Sequence, residues 1–137
     1  MTAARKLPLL EPLSEFFWTS GADGRLRIQH CKACGHYQHP PLVRCGTCHS
    51  AKLAPKVVSG RGTVKSWTVN HQPWQKGVDP TFIFAAIELA EQAELYVLSN
   101  VLCAPDGVRS GMPVRVTFER QDDVWIPLFA PVAPARG

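Results

Sequence analysis

A chain of 137 residues holds one ordinary domain, or a small metal-stapled module beside a compact one of about 75 residues, and nothing larger. With 45% hydrophobic and 19% charged residues the composition is that of a globular protein, and no apolar run approaches the roughly 20 residues that span a bilayer, so a membrane-spanning role is excluded. The formal charge of +4 is a small surplus, and residues 1–60, with eight basic side chains against three acidic, more than account for it. Nucleic-acid binding would need a concentrated basic patch instead.

The N-terminus has Arg5 and Lys6, a broken apolar stretch and no small-residue cleavage site. It does not read as a secretory signal, and a cytoplasmic location is expected. Ser14 before Glu15-Phe16-Phe17-Trp18 predicts a short capped helix ending near Ser20-Gly21. Such a helix is too short to stand alone, so Phe16, Phe17 and Trp18 need a surface, either this chain's second module or another chain. Residues 24–30 alternate polar and apolar and lead into Cys31, as a strand entering a metal knuckle would. A boundary is expected near Pro55, dividing the chain into 1–55 and 56–137, with Ser59-Gly60-Arg61-Gly62 as a linker or tight turn.

Beyond it, residues 63–69, 82–89, 95–102, 114–119 and 124–129 read as five strands, separated by Glu91-Gln92-Ala93-Glu94, by Pro105-Asp106-Gly107 with Gly111, and by Gln121-Asp122-Asp123. The fold class is mainly β: an N-terminal helix and metal ribbon, then a five-stranded barrel of OB type. An SH3-like barrel or a sandwich fragment shares the same pattern.

Four of the five cysteines form the pairs Cys31-x-x-Cys34 and Cys45-x-x-Cys48, ten residues apart. Each pair sets two sulfurs on one side of a tight turn, and two such turns complete a tetrahedron with sulfurs about 2.3 Å from a zinc ion. Gly35 and Gly46 supply the backbone freedom that knuckle turns demand. Without a secretory signal, metal binding is a better reading than disulfides. Four thiolates around Zn²⁺ carry a net −2, which offsets the basic surplus and leaves no open position for water or substrate. The site is therefore structural. His30, His36, His39 and His49 lie close by, but with four spaced sulfurs available they read as neighbours of the site rather than ligands. The spacing itself serves iron as well as zinc.

No G-x-S-x-G elbow, H-E-x-x-H helix, Walker loop or dinucleotide fingerprint occurs. Cys103, in an apolar run, reads as a small buried hydrophobe. His71, beside Gln72-Pro73-Trp74, is a lone candidate for polar contact with a ligand, and with Cys103 it is the whole case for a thioester hydrolase. Trp67, Trp74, Phe82 and Phe84 could stack on bases, which keeps a single-stranded nucleic-acid module as the alternative function. Between Thr63 and Val101, however, only Lys65 and Lys76 are basic.

Phe17-Trp18 before Gly24-Arg25-Leu26, then Cys31-x-x-Cys34-Gly35, Pro40-Pro41, Cys45-x-x-Cys48, Gly60-x-Gly62, Ser99-Asn100, Gly111-Met112-Pro113-Val114 and Ile126-Pro127-Leu128-Phe129 follow one another over nearly the whole chain. In this order they resemble a bacterial and archaeal family that joins a rubredoxin-like zinc ribbon to an OB fold and associates with acyl-CoA enzymes. Many members have Cys-Pro-x-Cys at the second knuckle; here it is Cys45-Gly46-Thr47-Cys48, and glycine satisfies the same turn. The resemblance implies a non-catalytic accessory subunit of a thiolase or of a lipid-transfer-protein-like aldolase acting on steroid side chains, in a heterotetramer of two copies each. The partner would cleave a β-keto or β-hydroxy acyl-CoA, and this chain would support it and shape substrate access. From charge and ribbon position, Lys32, His36 and Arg44 are candidate CoA contacts, and Phe16, Phe17 and Trp18 candidate partner contacts. Neither nucleic acid nor membrane is expected as a partner.

Overall fold

The computed structural model describes residues 10–70 and 82–132. Helix α1 (Glu15–Trp18) is a single turn, followed by a 3₁₀ turn at Ser20–Asp23. The side chain of Ser14 makes no capping bond. A turn begun at Glu11 starts the helix instead, its carbonyl accepting the N–H groups of Ser14 and Glu15 at 3.1 and 2.8 Å.

Three strands then build the ribbon: β1 (Arg27–Cys31), β2 (Tyr37–Gln38) and β3 (Leu53–Val57), in the order β2-β1-β3 and antiparallel throughout. Strand β3 carries Pro55 at its centre, opposite Gln29. Proline lacks a ladder N–H and is tolerated there because β3 lies at the sheet edge.

Strands β4 (Arg61–Asn70), β5 (Phe82–Leu89), β6 (Tyr96–Val101), β7 (Pro113–Gln121) and β8 (Val124–Pro131) close into a barrel in the order β4-β5-β6-β8-β7. This is the expected mainly-β architecture with a five-stranded OB barrel. Closure uses the antiparallel β4–β7 pair and one parallel contact, Val101 opposite Phe129, between β6 and β8. A bulge between Val64 and Ser66 lets β4 bend far enough to pair with both β5 and β7. Gly60 and Gly62 make the entry to β4 possible. Gly60 has φ +78° and lies against Val116, while a Cβ on Gly62 would sit 2.6 Å from the Glu88 carbonyl oxygen.

Ribbon and barrel share one apolar cluster. Phe17, Leu26, Ile28 and Val58 from the N-terminal side pack in it with Val64, Ile83, Ile87, Val97, Val114 and Phe129 from the barrel. The β5–β6 turn fastens the two together. The Gln92 side-chain amide donates to the Tyr37 carbonyl (2.8 Å) and accepts the Tyr37 N–H (2.9 Å), acting as a short extra strand beside β2. Next to it, Glu91 Oε2 accepts the Ser59 N–H at 2.7 Å.

Candidate metal centre

Strand β1 delivers Cys31 to the first knuckle, where the Gly35 N–H donates to the Cys31 carbonyl and the Cys31 N–H to the His36 carbonyl, each at 2.8 Å. The turn needs a left-handed residue, and Gly35 (φ +81°) provides it. The second knuckle repeats the geometry: the His49 N–H donates to the Cys45 carbonyl (3.0 Å) and the Cys45 N–H to the Ser50 carbonyl (2.9 Å). Here the left-handed residue is His49, at φ +63°, in the position corresponding to Gly35. Gly46 has an ordinary φ and instead donates its N–H to Gln38 Oε1 at 2.9 Å.

The sulfurs of Cys31, Cys34, Cys45 and Cys48 all lie within 4.8 Å of one another. Cys31 and Cys48 are 3.6 Å apart, and Cys34 and Cys45 3.7 Å. Four sulfurs each about 2.3 Å from a common centre would be about 3.8 Å apart, so the cluster has the dimensions of a zinc tetrathiolate. Its electrostatics agree. Backbone N–H groups of Cys48 and Thr47 draw the Cys45 thiol down to about 6. Cys34 goes the other way, up to about 12: the His36 amide lowers it, but burial and the sulfurs of Cys48, Cys31 and Cys45 outweigh that. Four sulfurs this close ionise together only around a cation.

The histidines stand apart from the sulfur cluster. His39 packs on Phe17, ring centroids 4.5 Å apart, and burial depresses its pKa to about 4. His30 packs against Tyr37 with ring centroids 4.8 Å apart and the planes tilted by 58°, and burial, then Lys56, lowers its pKa. Lys32 and Arg44 are exposed around the knuckles and His36 is half-buried beside them, with Arg44 Nη1 donating to the His49 carbonyl at 3.3 Å.

Of the three aromatics on α1, Phe17 is buried at 4% exposure, edge-on to Trp18, whereas Phe16 and Trp18 are half-buried against the shared cluster. The surface Phe17 needs is thus this chain's own. Phe16 also lines an open groove of about 420 Å³ with Leu13, Gln29, Leu53 and Pro55.

Cys103 is half-buried, and burial, with Asp106 behind it, raises its pKa, which suits a packing role. His71 and Trp74 lie outside the described residues. Trp67 and Phe84 are partly exposed on the barrel.

Two residues that periodicity did not single out organise the ribbon. Gln29 and Gln38, opposite each other on β1 and β2, are buried and joined by a 2.6 Å hydrogen bond. Their polarity in a strand facing the interior was the available signal.

A zinc ribbon stapled to an OB barrel defines the class, and comparison with known proteins shows the family. Residues 18–54 match the family described as "ChsH2, rubredoxin-like zinc ribbon domain", and residues 56–119 match "ChsH2, C-terminal OB-fold domain". The chain belongs to this zinc ribbon and OB-fold family, also named DUF35, and its cofactor is structural zinc. It is 38% identical over 104 residues, 75% of its length, to the 3-oxo-4,17-pregnadiene-20-carboxyl-CoA hydratase alpha subunit of Mycobacterium tuberculosis. The match spans 32% of that relative. A DUF35 domain-containing scaffold protein of Methanothermobacter thermautotrophicus is 30% identical over 66% of this chain and 68% of its own. Among solved structures, a chain of the Ltp2-ChsH2(DUF35) aldolase superposes with a TM-score of 0.82 at 29% identity, over 91% of this chain and 98% of that one. A DUF35 protein of unknown function from Sulfolobus solfataricus shares the fold, with a TM-score of 0.63 at 17% identity over 88% of this chain and 86% of its own.

Proposed function

We propose that this chain is a non-catalytic accessory subunit of a thiolase-fold acyl-CoA enzyme, a thiolase or retro-aldolase that cleaves a β-keto or β-hydroxy acyl-CoA. The observation that carries the reading is the superposition of ribbon and barrel together on a chain of an aldolase complex, over 98% of that chain. Cys31, Cys34, Cys45 and Cys48 hold the zinc, and their closed coordination gives water or substrate no place on the metal. Bond cleavage belongs to the partner, and this chain supports the partner's fold and the substrate's access. The complex holds two copies of each subunit and works in the cytoplasm. No helix among the described residues is long and apolar enough to cross a membrane.

Within the chain, 1–55 forms the helix and ribbon module and 56–137 the OB module. The exposed rims of Phe16 and Trp18 and the groove beside Phe16 contribute to partner contact, with Phe17 holding them from beneath. Lys32 and Arg44 are the cations, and His36 a further polar side chain, available to the phosphates of CoA.

Size-exclusion chromatography of the chain coexpressed with the thiolase-type subunit of the same genome tests this. Coelution in equal amounts is expected; separate elution would sink the proposal. The alternative, a single-stranded nucleic-acid module, has exposed Trp67 and Phe84 in its favour. Their part of the barrel has little basic charge to hold a phosphate backbone, and an oligonucleotide titration at low salt should show no binding.

A further inference from the structure

One segment of the ribbon is explained neither by zinc nor by the core. Between β2 and Cys45, Pro41 is buried and the chain then turns outward, leaving Leu42 46% and Val43 78% exposed. These aliphatic side chains sit on a loop whose backbone is held from within. Gln29 Nε2 donates to the Leu42 carbonyl, and Gln29 Oε1 accepts the Leu42 N–H, both at 2.8 Å. One side chain thereby fixes both polar backbone groups of Leu42. Gln38 Nε2 donates to Gln29 Oε1 and also reaches the Arg44 carbonyl at 3.3 Å, while its Oε1 receives the Gly46 N–H. The two prolines before Leu42 restrict the chain further. Burying two amides is favourable only when their hydrogen bonds are complete. Here the completed network gives a single shape to a loop with an apolar, solvent-facing tip. Rigid presentation of exposed apolar side chains removes the entropy cost of ordering them on binding.

We propose that Leu42 and Val43 form a preorganised knob that enters an apolar, carboxylate-rimmed pocket on a protein partner. The rim follows from charge. No Asp or Glu occurs from residue 24 to residue 78, and the ribbon carries Arg25, Arg27, Lys32, Arg44, Lys52 and Lys56. Among the described residues only Arg27 of these has an ion pair, with Asp23 at 2.6 Å. Even after the net −2 of a zinc tetrathiolate and the Arg27–Asp23 pair, the ribbon that carries the knob, with Arg44 directly after Val43, keeps a net positive charge that matches a negative rim. A bilayer is the poorer occupant: fluid hydrocarbon gains nothing from a fixed loop shape, and two aliphatic side chains are a weak anchor. The proposal deepens the accessory-subunit reading and rests on it, the partner being the catalytic subunit.

Calorimetric titration of the zinc-loaded full chain into the thiolase-type subunit tests it, using wild type, Val43→Asp, Val43→Ser and Leu98→Ser. Leu98, on β6 of the barrel, is 63% exposed and serves as the control. Val43→Asp should weaken binding at least about tenfold, as loss of a central apolar anchor does, and Val43→Ser should weaken it less. Both should keep one zinc per chain and the wild-type melting temperature. Leu98→Ser should bind as wild type does, and wild-type affinity should fall as salt is raised. Knob variants that retain zinc and bind with wild-type affinity, or wild-type affinity indifferent to salt, would overturn the knob while leaving the accessory reading intact. Wild type failing to bind the catalytic subunit would overturn both. If the Val43 variants instead lose only self-association, or only binding to phosphatidylserine vesicles, the occupant is a second copy or a lipid surface and the proposal is wrong.

Discussion

Cys34 and Cys45 share a cluster within 4.8 Å but are shifted in opposite directions: against the His36 amide, burial and the neighbouring sulfurs push Cys34 up to about 12, while the backbone N–H groups of Cys48 and Thr47 draw Cys45 down to about 6, and a bound zinc ion lets all four ionise. Replacing Cys34 or Cys48 by Ala should therefore abolish stoichiometric zinc and unfold the ribbon, as metal analysis and circular dichroism would record. A zinc-loaded, folded Cys34→Ala protein would contradict the ligand set. His39 provides a separate handle on pH. Burial against Phe17 holds its pKa near 4, below the ordinary 6.5, so the unfolded chain takes up a proton before the folded one does. Its neutral form contributes full stability above pH 6.5. That contribution is lost as pH falls from 6.5 toward 4, by at most about 1.4 kcal/mol per pH unit. Urea unfolding at pH 7 and pH 5 should show a smaller acid loss for His39→Phe than for wild type; an equal loss would remove His39 from the account. The cysteines were legible from spacing alone, and Gly35 from its turn. His49 was not, because a non-glycine left-handed residue gives no compositional sign.

At the scale of elements, the ribbon depends on its paired glutamines. Gln29→Ala would strip the Leu42 N–H and carbonyl of their partners and leave Gln38 half-satisfied. A loss of about 1–3 kcal/mol in stability is expected, with faster hydrogen exchange at Leu42 and Gly46. Unchanged exchange at both amides would mean the loop is held by something else. The five barrel strands were readable because each alternates or runs apolar between turn residues. Strand β3 was not: Pro55 and the polar run before it mark a boundary, yet pairing with β1 extends through Val57. A cross-strand partner made that strand, and local sequence does not display partners. The fate of Phe17 was undecided for the same reason, since a short aromatic helix does not say which surface will cover it.

The whole molecule couples these parts. Because Phe17, Leu26 and Ile28 lie in the same cluster as the barrel's β-strands, and Gln92 clamps Tyr37, zinc removal should loosen more than the knuckles. Chelation is expected to lower the melting temperature of the barrel as well as the ribbon, with loss of near-ultraviolet tryptophan dichroism; a barrel melting unchanged after chelation would show the coupling to be negligible. Under the proposed accessory role, the chemistry belongs to a second polypeptide. The most direct test is acyl-CoA cleavage by the thiolase-type subunit, measured alone, with this chain, and with its Cys34→Ala variant. The account predicts substantial activity only with the zinc-loaded wild-type chain, and none from that chain by itself. Equal activity of the catalytic subunit with and without this chain, or turnover by this chain alone, would contradict it.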